Sequence, residues 1–139
     1  MEGTVFTEGG HWRVLHPILD NGVIDNVFDG NLETLARTRD APVTVVQITF
    51  PDPRPIEGVR LHLWYNEYEF KLVVVGAGGE VVRKEGTGRS RIELVPFELR
   101  LSESVPDAVL AEVTITKTDD GHVHLREIEF LPKSATETP

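Results

Sequence analysis

From residue 43 onward, apolar and polar side chains alternate with a period of two. That period fits β-strands with one buried and one solvated face. "VTVVQITF" (Val43 to Phe50) is rich in β-branched and aromatic residues and predicts a strand. "IEGVRLHLW" sets Val59, Leu61 and Leu63 against Arg60 and His62, giving one buried face and one wet face. "FKLVVV" predicts a mostly apolar strand that stops at the turn "GAGG", and "EVVRK" completes a hairpin. "AVLAEVTITKT" sets Val113 and Ile115 against Glu112, Thr114 and Thr116, and "HVHLREIEFL" predicts the last strand. The prolines of "PDPRP" (Pro51, Pro53, Pro55) lack the N–H that a central ladder uses, so they predict a break between strands. "GTGRS" reads as a flexible loop, and "RIELVPFELRL" as a strand pair or bent strand with Pro96 at an edge or bulge. The first 25 residues are less regular; "WRVLHPILD" reads as an edge strand or a loop wrapping the core, and Trp12 as a plug over the sandwich edge.

No helix and no internal repeat emerges. Many short strand candidates joined by Gly/Pro turns predict an all-β fold, an antiparallel β-sandwich of the jelly-roll kind. The length of 139 residues suits one core. The end "PKSATETP" has linker composition, so the expected layout is one domain over residues 1–132 and a linker-like tail over 133–139. That ending suggests a module cut from a longer protein, and no signal peptide or membrane-length apolar run is expected in it.

The formal net charge is −9, from 14 basic and 23 acidic residues, with no Lys/Arg cluster. An acidic surface repels phosphate backbones and anionic headgroups, so neither nucleic acid nor membrane insertion is expected. There is no cysteine, which removes disulfides, thiolate nucleophiles and thiolate metal sites. The motifs of common enzymes are absent as well: no nucleophile elbow, no His-Glu-x-x-His and no phosphate-cradling glycine loop. The expectation is a non-enzyme.

Two stretches carry candidate chemistry. "NVFDGNLETLARTRD" gathers side-chain oxygens at Asp29, Asn31, Glu33 and Thr34. Such a turn suits a hard cation, which takes six to eight oxygens, or it is a metal-free turn in which Asp29 accepts backbone N–H bonds. An EF-hand register starting at Asp25 fails, because Val27 and Ala36 fall where ligands belong. "WYNEYEF" places Trp64, Tyr65 and Tyr68 beside Asn66 and Glu67. A sugar site wants an aromatic platform and a few donors and acceptors. Tyr65 or Tyr68 would stack, Asn66 and Glu67 would bind hydroxyls, and Arg37 and Arg39 would join them. The competing reading is packing, favoured for Trp64 and Phe70. Two imidazoles, His122 and His124, share one strand face, but a zinc site lacks further ligands; solvent-facing histidines are the simpler account. In the last strand the apolar parity of Val123 and Leu125 differs from that of Ile128 and Phe130, which predicts a bulge around Glu127 and an inward carboxylate in need of a partner.

The order of these pieces resembles discoidin-like domains, also called coagulation factor 5/8 type C domains, and equally the family 32 carbohydrate-binding modules of the galactose-binding-like fold. The resemblance spans roughly residues 23 to 131 and rests on "DGNLETLART" and "LREIEFL". It implies a structural calcium held by Asp29, Asn31, Thr34 and Glu127, with backbone carbonyls near Asn26 and Phe28. It also implies ligand binding on loops at one end of the sandwich. The family usually has Trp two residues after the Thr, where this chain has Ala36, and the aromatic-Asp-Leu pattern of the next strand stands here as "VVQITFP". These departures mark a divergent branch. The expected function is a carbohydrate-binding accessory module, with cell-surface or polysaccharide glycans and other domains of a parent chain as partners. Its expected location is extracellular, cell-surface or periplasmic. The alternative is a structural or protein–protein module of the same fold.

Overall fold

A computed structural model describes residues 2–7, 10–17, 19–28, 36–38, 43–63, 67–89, 96–117 and 123–132. Among these the chain forms strands β1 (Glu2–Thr7), β2 (Gly10–Leu15), β3 (Leu19–Asn21), β4 (Ala36–Thr38), β5 (Val43–Leu63), β6 (Glu67–Gly76), β7 (Val81–Arg89), β8 (Pro96–Lys117) and β9 (His124–Leu131). A short 3-10 turn, Ile24–Val27, lies between β3 and β4. Every strand pairing is antiparallel.

Two long strands organise the sandwich. The first part of β5 pairs with the second part of β8, from Val43↔Thr116 to Thr49↔Leu110. The last part of β5 pairs with the first part of β8, from Gly58↔Arg100 to His62↔Pro96. Between them the register shifts at Arg54 and Ile56. One layer therefore runs β1-β2-β5-β8-β6-β7 and the other β3-β4-β9-β5-β8, with β5 and β8 passing through both. The break expected at "PDPRP" is a bend within one continuous strand. Pro51, Pro53 and Pro55 all point to solvent there, where the ladder is interrupted and their missing N–H is harmless. "GTGRS" departs from expectation too: residues 86–89 belong to β7. β2 is an interior strand, paired with β1 on one side and β5 on the other.

The core forms where the two inner faces meet. Val46, Ile48, Leu72, Val113 and Ile115 come from one layer, and Val59, Leu61, Leu63, Leu125 and Phe130 from the other. Two aromatic groups fill its ends. Trp12 packs edge-on against Phe50, Phe28 and Phe130, at centroid distances of 5.0, 5.6 and 5.8 Å. The Arg54 guanidinium lies 5.2 Å from the Trp12 ring centroid. Trp12 is thus the expected plug, 6% exposed. Tyr68, Phe70 and Phe97 form the second group. Glycine brings the layers together there: a Cβ at Gly88 would sit 2.2 Å from Phe97 Cδ1.

Candidate functional site

One end of the sandwich collects the ends of strands from both layers. Thr38, Val43, Leu63, Glu67, Arg89, Pro96, Lys117 and Val123 all terminate there, as the pairs Val43↔Thr116, Glu67↔Arg89, Tyr68↔Lys117 and His62↔Pro96 require. The segments that join these ends, 39–42, 64–66, 90–95 and 118–122, lie outside the described residues. Arg39, Tyr65 and Asn66 therefore lie outside them as well. What is described is the frame. The Thr38 N–H donates to the Val123 carbonyl (3.0 Å), and the Val123 N–H donates to Thr38 Oγ1 (2.8 Å). Both residues are fully buried, so this two-bond clasp ties Val123, at the entry to β9, to the end of β4.

The expected ligand residues within the frame do not share one face. Glu67 is exposed, and its position continues the outward series Glu69 and Lys71 on β6. Arg37 is half-buried on β4 between the inward-facing Ala36 and Thr38, opposite His124. Each lies on the outer side of a different layer. Tyr68 corrects the reading of it as a stacking platform. It is 1% exposed, its ring is stacked on Phe70 at 5.8 Å, and Phe97 meets it edge-on. The alternation of β6 carries Tyr68 inward with Phe70 and Leu72, so it is a core residue. Phe70 is buried, as expected.

The register also places a residue that the sequence reading passed over. Lys117 is the last residue of β8 and pairs with Tyr68, which pairs in turn with Gly88. Its parity is that of Val113 and Ile115, and its side chain is half-buried. The signal was present in "AVLAEVTITKT": a lysine two residues beyond two core positions.

Of the expected calcium ligands, Asp29, Asn31 and Thr34 lie outside the described residues. Asn26 lies on the 3-10 turn, which is pinned by buried Ile24 and Val27 and packs against β9. Glu127 is 5% exposed. The expected bulge exists, but one residue earlier than the pattern implied. Leu63 pairs with Leu125 and His62 with Glu127, so Arg126 is the extra residue. Glu127 therefore shares the face of His62 and not the core face of Leu125. A buried carboxylate on a strand next to a turn that offers backbone carbonyls is chemically suited to a hard cation. Among the described residues, no three His, Cys, Asp or Glu side chains form a metal-binding group.

The face expected to be wet carries an ionic ladder across β8, β5 and β9. Arg60 Nη2 donates to Glu98 Oε1 (2.9 Å), and Arg100 Nε donates to Glu98 Oε2 (3.1 Å). The two guanidinium groups, Arg60 first, hold the Glu98 carboxyl below its usual range. His62, 6% exposed and not wet, places Nε2 at 2.6 Å from Glu129 Oε1. An ionised carboxylate only accepts, so Nε2 carries the hydrogen. His122 lies outside the described residues.

No protein-family model and no curated protein sequence matches the chain. Solved structures do. An F5/8 type C domain from Bacteroides fragilis is 18% identical with a TM-score of 0.63, covering 86% of this chain and 89% of its own. The family 32 module of AlyQ, solved with 4,5-unsaturated mannuronic acid, is 14% identical with a TM-score of 0.65, covering 95% and 98%. The family 32 module of NanJ from Clostridium perfringens, solved with galactose, is 13% identical with a TM-score of 0.63, covering 94% and 98%. The chain has the discoidin-like β-sandwich fold that F5/8 type C domains and family 32 carbohydrate-binding modules share.

Proposed function

We propose that the chain is a non-catalytic carbohydrate-binding module of a larger, extracytoplasmic protein. The observation that carries this reading is a shared fold along almost the whole chain with two modules solved holding sugars, mannuronic acid in one and galactose in the other. Binding takes place at the end where Thr38, Leu63, Glu67 and Lys117 terminate. Tyr65 supplies the stacking ring, Asn66 and Glu67 bind hydroxyls, and Arg39 borders the site, while Arg37 faces away on the outer side of the other layer. A structural calcium is held by Asp29, Asn31, Thr34 and Glu127, with the Asn26 carbonyl; the burial of Glu127 supports it. The ion fastens the residues after the 3-10 turn to β9 and takes no part in sugar binding.

The second reading, a structural or protein–protein module, draws support from the burial of Tyr68, which removes one of two candidate platforms. Substitution separates the two. Tyr65→Ala and Asn66→Ala are expected to abolish sugar binding with the melting temperature unchanged. If both variants lose stability and binding in step, those side chains pack, and the structural reading gains.

A further inference from the structure

We propose that β7 is a self-complementary edge through which two copies of this chain join into one continuous sheet across a two-fold axis. The strand ends its layer, with β6 on one side and no described strand on the other. Its register with β6 is unbroken over nine pairs, from Glu67↔Arg89 to Val75↔Val81. It holds no proline and no bulge, so every second residue turns its N–H and C=O outward along the edge. β3, at the far end of the sheet, has three residues and a register shift.

The side chains select the occupant. Val81, Arg83, Glu85 and Thr87 are exposed on the outer face, while Val82, Lys84, Gly86 and Gly88 share the inner one. Antiparallel pairing of β7 with its own copy, centred on Lys84, sets Arg83 opposite Glu85 and Glu85 opposite Arg83. The same register sets Val81 against Thr87 on the outer face and Val82 against Gly86 on the inner one. Opposite charges and β-branched pairs directly across a ladder are favourable. A Cβ at Gly86 would sit 2.6 Å from Leu99 Cδ2, so Leu99 lies over this glycine, and Val82 of the second copy shields both. Centring the pair on Arg83 or on Glu85 instead puts like charges opposite each other, which is unfavourable. Lys84 facing its own copy is the one unfavourable pair of the chosen register. It is exposed, and its flexible stem lets the two ammonium groups part into solvent. A two-fold contact of this kind closes at two copies. Because β7 ends at the ligand end, at Arg89, antiparallel pairing turns the two ligand ends in opposite directions.

The test is sedimentation equilibrium of the full chain at about 0.15 M salt, where repulsion between two acidic bodies is screened beyond about 8 Å. One strand pair is a small contact, so the dimer should dissociate in a range of roughly micromolar to millimolar. Arg83→Glu and Glu85→Arg each turn two opposite-charge pairs into two like-charge pairs, and each should weaken the dimer about tenfold. The double variant Arg83→Glu/Glu85→Arg restores the match and should return the wild-type affinity. An equimolar mixture of the two single variants should form mixed dimers more tightly than either forms alone. Lys84→Thr should tighten the dimer, since it removes the like-charge pair at the axis. A wild type still monomeric at about 1 mM overturns the inference. A dimer that both single reversals leave unchanged, or a double variant no tighter than the singles, overturns it equally. Should a single variant fail to melt cooperatively, the double variant and Lys84→Thr decide.

Discussion

Replacing Gly88 by alanine perturbs the place where the two layers meet beneath the ligand end. The new Cβ would lie 2.2 Å from Phe97 Cδ1, 2.5 Å from Cε1 and 3.0 Å from Phe70 Cε2. Carbon atoms sit comfortably about 3.5–4.0 Å apart, so the Phe97 ring must retreat by more than about 1 Å. It has little room. Phe97 is 9% exposed, with Phe70 at 5.1 Å and Tyr68 at 5.8 Å between ring centroids. Overpacking of this kind costs about 1–3 kcal/mol. Alanine recovers about 0.5–1 kcal/mol, because glycine loses more backbone freedom in a strand. The net expectation is a loss of about 1–2 kcal/mol from these two opposing effects. Urea unfolding reads it as a midpoint lowered by about 0.5–1 M, with a slope of about 2 kcal/mol/M. Adding Phe97→Leu should return part of the loss, since the smaller side chain vacates the contested space, and the two changes should be clearly non-additive. A Gly88→Ala midpoint equal to or above wild type, or strict additivity with Phe97→Leu, would refute the packing argument.

Three further outcomes are expected. Trp12→Ala removes a ring with three edge-on aromatic contacts and a guanidinium over its face, and should cost about 3–5 kcal/mol in urea unfolding. Glu98, whose folded pKa is depressed chiefly by Arg60 and then Arg100, contributes stability that is complete above the ordinary carboxylate range and is lost as pH falls through the lowered value. Glu98→Gln should flatten the acid limb of the stability curve slightly, the effect staying small because the side chains of this ion pair are solvent-facing. Calcium at 100 times its dissociation constant should raise stability by about 2.7 kcal/mol over chelator in thermal unfolding, and Glu127→Gln should remove most of that gain.

The strand pattern was legible because each inner position is decided locally by burial. Val59, Leu61 and Leu63, and Val113 and Ile115, lie where alternation put them. The course of β5 through "PDPRP" was not legible, since a proline argues against a ladder but is indifferent to a bend where the ladder already fails. "GTGRS" misled in the same way. Its glycines do not loosen the chain; Gly86 and Gly88 clear space for Leu99 and Phe97 of the facing layer, a tertiary demand invisible in one segment.

Site residues were harder. The parity change in the last strand announced a bulge, but which residue is extra depends on the pairing with β5, and a shift of one moved Glu127 from the Leu125 face to the His62 face. Tyr68 looked like a loop residue because it follows Asn66 and Glu67; β6 begins at Glu67, which turns the next ring inward. His62 looked wet by alternation, yet it is buried, with Nε2 held against Glu129. Lys117 was readable from parity alone, and its charge distracted from its position.

The central claim, that this fold binds carbohydrate at the end marked by Lys117 and Glu67, is tested most directly by a glycan array probed with the folded full chain in calcium buffer. The account predicts discrete hits that disappear in Tyr65→Ala. A blank array from protein that melts cooperatively would contradict it and leave a structural or protein-binding module in its place.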